Sequence, residues 1–359
     1  MALTPVLIRD VSEDEILSRI VPLLPVSPHA TVKSGDDCAV LEVNQVAVST
    51  DMLVEGVHFR RDWSTGADVG WRAAMQNIAD AVAMGARPST LVVSMELPGD
   101  LPLAWVEDCA RGMAQATRSC GCGIDGGDLV GGKAVVLGVT VLGDMEGRAP
   151  RLRSGARPGE ALIHAGNIGH AATGYELLRR GFTPSRSVRQ PRSRCNVARN
   201  YVKSAHDVFM ENFLRPWPPV SAVLNAVRAG SLGALMDVSD GLLRDARRMA
   251  KASHMWLDID TLKLEENFRA VMVVAPQLGM HDCLDWAYRT VLGGGEDHGF
   301  LATLRRHEEK AWGLHTPLLP QGFKRIGTVR DKWEGGRVTL DGKDIPAYLG
   351  NSGWDHFSR

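Results

Sequence analysis

The sequence predicts a mixed α/β fold in two domains. Strand-length apolar runs alternate with segments of helical period in both halves of the chain. A stretch without apolar period, GRAPRLRSGARPGE, rich in Gly, Pro and Arg, separates the halves. The chain has 359 residues and 44% hydrophobic content, enough for two cores. The boundary falls near Ala149, giving domains 1–149 and 150–359.

The elements follow in order. SEDE at Ser12 to Glu15 has capping-box spacing, and Ile16, Leu17, Ile20, Leu23 and Leu24 then recur at helical intervals, so a helix opens the chain. CAVLEV and VAVST read as two strands with a tight connection at Asn44-Gln45, and LVVSMEL and AVVLGVTVLG as further strands. DVGWRAAMQNIADAVAMG and LAWVEDCARGMAQA have helical period, the first closing at Gly85, where a left-handed cap fits. The second half repeats the alternation: the strand ALIHA, the turn GNIG, a helix from Ala171, the strand GALMDV, the helix GLLRDARRMAKA and the strand FLATL. Arg179, Arg180, Arg186, Arg189, Arg192 and Arg194 lie in a Ser- and Pro-rich segment that reads as a solvated loop.

Composition narrows the function classes. Lys+Arg of 41 against Asp+Glu of 42 leaves a net charge of -1, without the basic footprint that nucleic acid or an anionic membrane would require. The acidic start MALTPVLIRDVSEDEIL differs from a secretory leader, and no apolar run reaches the roughly 20 residues of a membrane span, so the expected location is the cytoplasm. Six cysteines, Cys38, Cys109, Cys120, Cys122, Cys195 and Cys283, lack paired zinc spacing and read as free thiols.

The chemistry lies in carboxylates. Asp36 and Asp37 stand side by side before an apolar run, Asp51 follows VAVST, and Asp80 lies mid-helix among Ile78, Ala79, Ala81 and Val82. Asp128 follows two glycines, Asp237 and Asp240 bracket DVSD, and Glu296 and Asp297 follow three glycines. Any single one serves equally well as a cap or turn former, and Asp240 sits where it could cap the GLLRDA helix. Asp80 resists that reading because a mid-helix Asp has poor propensity. Converging unit charges about 4 Å apart would repel by about 4 kcal/mol at an effective dielectric of 20, so cations are expected among them. Hard oxygen ligands without a His or Cys cluster point to magnesium and, with it, a nucleotide. Two nucleotide motifs fail: GDLVGGKA has Ala134 where a P-loop needs Ser or Thr, and GCGIDG lacks the strand and helix of a dinucleotide fingerprint.

GDDCAV, STDMLVEGVHF, NIADAVAMGARP, GGDLVGG, GRAPRLRSGARPGE, MDVSDGL, LGGGEDH and the terminal GWDHF occur in this order over nearly the whole chain. With them the chain resembles the thiamine-monophosphate kinases, in the superfamily of aminoimidazole ribonucleotide synthetase. The resemblance implies two α/β domains, a homodimer formed through the N-terminal sheets, ATP bound close to that interface, and conversion of ATP and thiamine monophosphate to ADP and thiamine diphosphate. By motif position it implies that Asp37, Ser49, Thr50, Asp51, Asp80, Asp128, Asp237 and Asp240 hold several Mg2+ ions. Gly127, Asp128, Arg153 and Ser239 would contact ATP, and His58, Glu296 and Trp354 the acceptor, Trp354 as an aromatic platform for a cationic ring.

Some positions depart from the family pattern. Where relatives commonly read GGDTTRG this chain has GGDLVGG, so two hydroxyls become Leu129 and Val130 and an arginine becomes Gly131, with Lys133 a candidate replacement cation. Ala79 replaces the usual serine before the helical aspartate, and AGNIGHAATG lacks the usual Thr and Ser. Two other readings stay open: another ATP-using enzyme of the superfamily, against which GWDHF argues, and a paralogue that binds without turnover.

Overall fold

A computed structural model describes residues 5–32, 39–185, 204–305 and 318–349. Asp36, Asp37, Cys38, Cys195, Trp354 and the arginines from Arg186 to Arg194 lie outside these residues. The chain separates into two compact units, residues 1–82 with 86–149, and residues 83–85 with 150–359. No helix among the described residues is long and apolar enough to cross a membrane.

The first unit opens with α1 (Glu13–Ile20), whose Ser12 hydroxyl accepts a hydrogen bond from Glu15 N at 3.2 Å, the cap that the sequence predicts. The predicted helix continues to Leu24, but Pro22 has no amide hydrogen to donate, and the chain tightens into a 3-10 turn over Val21–Leu23. Then come β1 (Ala30–Val32), β2 (Val40–Leu41), β3 (Val46–Val54), α2 (Gly66–Ala83), β4 (Arg87–Pro98), α3 (Leu103–Cys120), β5 (Gly123–Gly132) and β6 (Val136–Asp144). β2 and β3 are both strands, yet they form no hairpin: β2 pairs with β1 in a small separate sheet. β3 joins a four-stranded sheet of order β3-β6-β4-β5. The strand β5 was illegible in the sequence because its glycine-rich composition has low strand propensity. Parallel pairing with β4 along its length holds it extended.

The helices α2 and α3 cross in backbone contact. A Cβ on Gly70 would lie 2.0 Å from Cys109 O and one on Gly112 2.1 Å from Ala67 O, so glycine is required at both places. Ile78, Ala79 and Val82 of α2 are fully buried, as are Leu91 of β4 and Val141 of β6. The opposite sheet face leaves Val48 (68% exposed), Met52 (59%) and Val130 (57%) open.

The second unit contains β7 (Ala161–Ala165), α4 (His170–Arg179), α5 (Ala205–Leu214), α6 (Val220–Arg228), β8 (Leu232–Val238), α7 (Leu242–Ser253), β9 (Met255–Ile259), α8 (Glu265–Met272) and α9 (Cys283–Gly293). β10 (Gly299–Leu304), β11 (Phe323–Lys332), β12 (Arg337–Leu340) and β13 (Lys343–Asp344) complete it. Its seven-stranded sheet has the order β13-β12-β9-β11-β7-β10-β8, antiparallel except where β12 runs parallel to β9. Every residue of β8 and β10 is buried, which explains their unbroken apolar runs. Cys109, Cys120, Cys122 and Cys283 are free thiols.

Candidate nucleotide and metal site

In the first unit, β3 alternates its side chains between the two sheet faces. Ser49 and Asp51 face α2, and the Ser49 hydroxyl donates to Asp80 Oδ2 at 2.7 Å. This accounts for the mid-helix aspartate: Asp80 is half-buried and held toward β3 by a hydroxyl. Asp51 lies within β3, three residues before its end, rather than at the strand terminus that the sequence suggests. Thr50 points to the other face, where its hydroxyl accepts from Thr140 Oγ1 at 3.0 Å and donates to Val139 O at 3.0 Å.

Asp128 shares that other face. Register aligns Asp128 with Ser94, Gly138 and Met52 across the four strands, whereas Asp51 aligns with Val139, Val93 and Gly127. Asp51 and Asp128 therefore stand on opposite faces, three strand spacings apart, roughly 14 Å. Ser49 and Asp80 are brought together, with Asp51 two residues along β3 on the same sheet face; Asp128 is not brought to them. A Cβ on Gly127 would lie 2.1 Å from Val93 O, so glycine lets β5 press against β4 just before Asp128. His58, in the turn after β3, accepts from Val54 N through Nδ1 at 3.0 Å, which sets the proton of the neutral ring on Nε2. Lys133 is exposed; its backbone amide donates to Glu96 Oε1 at 2.8 Å.

In the second unit the carboxylates gather where β8 gives way to α7. Asp237 is buried at the end of β8, Ser239 and Asp240 form the turn, and Glu296 N donates to Ser239 O at 2.7 Å, joining the GGGED loop to that turn. Glu296 itself has φ of 73° and approaches His298 Nε2 at 3.4 Å. Asp240 does not cap α7. Its backbone amide instead donates to Asp245 Oδ2 at 3.0 Å, and its carboxylate accepts from Arg248 at 2.7 Å. Asp245, which sequence reasoning missed, is fully buried, and burial together with the neighbouring Asp237 pushes its carboxyl up to about 7. Its place in the first turn of the helix that follows Asp240 was the available signal.

Asp297 does something different from its neighbour Glu296. Its carboxylate accepts from Gly169 N at 2.5 Å and Ala171 N at 2.7 Å, capping α4, and burial pushes it up to about 6. Arg153 is exposed, and its carbonyl accepts from Ser253 Oγ at 2.6 Å at the C-terminal end of α7. Asp240 precedes the other end of that helix, roughly 18 Å away for 12 residues at 1.5 Å each, so Arg153 is not brought to the carboxylates of its own unit. Among the described residues no three His, Cys, Asp or Glu side chains stand ready to hold a metal.

Comparison with known proteins adds an independent line. The N-terminal domain model of AIR synthase related proteins matches residues 35–145. The thiamine-monophosphate kinase of Mycobacterium tuberculosis is 37% identical over 325 residues, covering 90% of this chain and 85% of its own. That of Corynebacterium glutamicum is 34% identical over 329 residues, covering 90% and 88%. Among solved structures, AaThiL complexed with AMPPCP and TMP superposes with a TM-score of 0.68 at 27% identity, covering 90% of this chain and 91% of its own. The hydrogenase maturation protein HypE of E. coli shares the fold, with a TM-score of 0.61 at 18% identity, covering 94% and 98%.

Proposed function

The chain belongs to the thiamine-monophosphate kinase family, and on that premise we propose that it transfers the γ-phosphoryl group of ATP to thiamine monophosphate, giving ADP and thiamine diphosphate. The observation that carries this reading is the 37% identity to the Mycobacterium tuberculosis kinase over 90% of the chain. The solved neighbour named for AMPPCP and TMP agrees with a nucleotide and a phosphate monoester as the two substrates.

The chemistry of the donors suits magnesium, although no three of the described carboxylates already converge on one point. Asp51, Asp80 and Ser49 offer hard oxygens beside the first sheet, and Asp240 and Asp245 share Arg248 with Asp237 buried close by. Carried over by motif position, Asp37, Ser49, Thr50, Asp51, Asp80, Asp128, Asp237 and Asp240 are the residues that would hold several such ions, Asp51 and Asp128 not at the same one because they stand on opposite sheet faces. Magnesium, when bound, supplies the positive charge that lets two anions approach.

The protein's own groups do the rest. The acceptor phosphate has a second pKa of about 6, so near neutrality it is largely a dianion able to attack, and no side chain has to remove a proton. The work left to the chain is alignment and charge neutralisation, which favours direct in-line transfer without a phosphoenzyme. Gly127, Arg153 and Ser239 are assigned to ATP, and His58, Glu296 and Trp354 to the acceptor. His58 offers an Nε2–H donor suited to a phosphate or hydroxyl oxygen. We further propose a cytoplasmic homodimer built on the open sheet face that carries Val48, Met52 and Val130, a patch that water leaves uncompensated.

The test is a coupled ADP-release assay with thiamine monophosphate and with thiamine, each with and without Mg2+. Turnover only with the monophosphate and only with Mg2+ is expected. Thermal stabilisation by ATP analogue and thiamine monophosphate without ADP release would overturn the reading in favour of a binding protein.

A further inference from the structure

The turn at the end of β8 carries its own cation. Arg248, on the second turn of α7, forks across two carboxylates: one terminal nitrogen lies 2.7 Å from Asp240 Oδ2 and the other 2.6 Å from Asp245 Oδ1. The two anchors differ. The Asp245 side chain is 1% exposed, holds the Asp240 amide through its other oxygen, and sits three residues before Arg248 on the same helix, so that half of the fork is fixed. The Asp240 side chain is 23% exposed and that of Arg248 37%, so the other half opens toward solvent. Arg244 Nε stands 3.9 Å from the same Asp240 oxygen, too far for a hydrogen bond. Arg248 is thus the one strong partner of the Asp240 carboxylate among the described residues.

We propose that Arg248 is the resident counter-ion of Asp240, which a divalent cation displaces on loading, so that this arginine sets the cation concentration at which the site fills. The inference rests on the reading of Asp240 as a metal ligand. A guanidinium at 2.7 Å from Asp240 Oδ2 competes with a metal for that oxygen and repels a second positive charge at the same carboxylate, and the bond to Asp245 keeps the arginine nearby once it is displaced. Arg248 acts through Asp240 and is a positioning residue.

Calorimetric titration of Mg2+ into the full chain with a nonhydrolysable ATP analogue tests this, alongside thermal melts in metal-free buffer. Arg248→Gln is expected to bind Mg2+ about fivefold more tightly, the upper range for losing a partly exposed ion pair, and to melt lower without metal. Its melting temperature is expected to rise more on adding Mg2+ than that of the parent chain. Arg248→Lys keeps the charge but cannot fork across both carboxylates, and is expected to fall between; it answers the question alone if Arg248→Gln fails to fold. Mg2+ affinity unchanged or weakened in these variants overturns the proposal. Asp240→Asn separates the two levels: if Mg2+ affinity is indifferent to that change, the assignment of Asp240 as a ligand fails and the proposal with it. If Asp240→Asn weakens Mg2+ while the Arg248 variants do not tighten it, the ligand reading stands and only the counter-ion role falls.

Discussion

Asp237 shows how a side chain costly to the fold can be retained for chemistry. It is buried beside Asp245, and its charge helps to push the Asp245 carboxyl up. Asp237→Asn removes that repulsion, so the metal-free melting temperature is expected to rise. The same change removes a charged oxygen from the proposed phosphate-neutralising set, and kcat is expected to fall by about 100-fold or more, as for loss of one group that stabilises transition-state charge. Differential scanning fluorimetry together with the ADP assay reads both; a parallel fall in stability and activity would mark Asp237 as a packing residue. Asp80 makes a related point about legibility. The sequence singles it out as misplaced in a helix interior, and its hydrogen bond from Ser49 supplies the reason. Asp245 carries no such anomaly: an acid in the first turn of a helix is ordinary, and beside Arg244, Arg247 and Arg248 it reads as an ion-pair former.

At the scale of elements, β5 and β7 carry the sharpest consequences. Gly127→Ala would force β5 away from β4, because no rotamer change relieves a Cβ 2.1 Å from a backbone oxygen. A loss of about 2 kcal/mol is expected, as for an overpacked site, measurable by denaturant titration. In β7, His164 is 3% exposed and burial pushes its imidazole down to about 3; His170, at the start of α4, is pushed down to about 4. These pKa values lie below those of the unfolded chain, so unfolding takes up protons below pH 6.5 that the native state refuses. Stability is therefore full above pH 6.5 and falls on acidification by about 1.4 kcal/mol per pH unit for each such histidine, until its folded pKa is reached. His164→Val is expected to reduce the slope of melting temperature against pH between 6.5 and 4; an unchanged slope would exclude His164 as a source. α1 was legible from its cap and period, α2 from its period and the closing Gly85, and β7, β8 and β10 from short apolar runs bounded by glycine. β5, β9 and β11 were not, since glycine content or mixed polarity conceals strands that hold only through their neighbours.

For the whole molecule, the open face of the first sheet is the feature that one chain does not explain. Val48, Met52 and Val130 are exposed together on strands of one sheet, with Thr50, Ser94 and Asp128 on the same side. A homodimer across this face would cover the apolar residues, and Asp128 would lie at the covered surface rather than with Asp51 and Asp80. Met52→Lys is expected to shift the protein from dimer to monomer in sedimentation velocity and to reduce turnover with it. A monomeric parent chain, or a variant that stays dimeric with full activity, would remove this face as the interface.

The sequence by itself determined which carboxylates the chain carries, the alternation of helices and strands in both halves, and the family, because these depend on residue identity and local spacing. Only the tertiary structure decided that β2 pairs with β1 instead of β3, that Asp51 and Asp128 face opposite ways, that Arg153 sits far from Asp240, and that Arg248 occupies the Asp240 carboxylate. The physical reason is register. Shifting a strand by one residue turns every side chain to the other face, and that choice is made by partners distant in the chain, through contacts that no local propensity encodes.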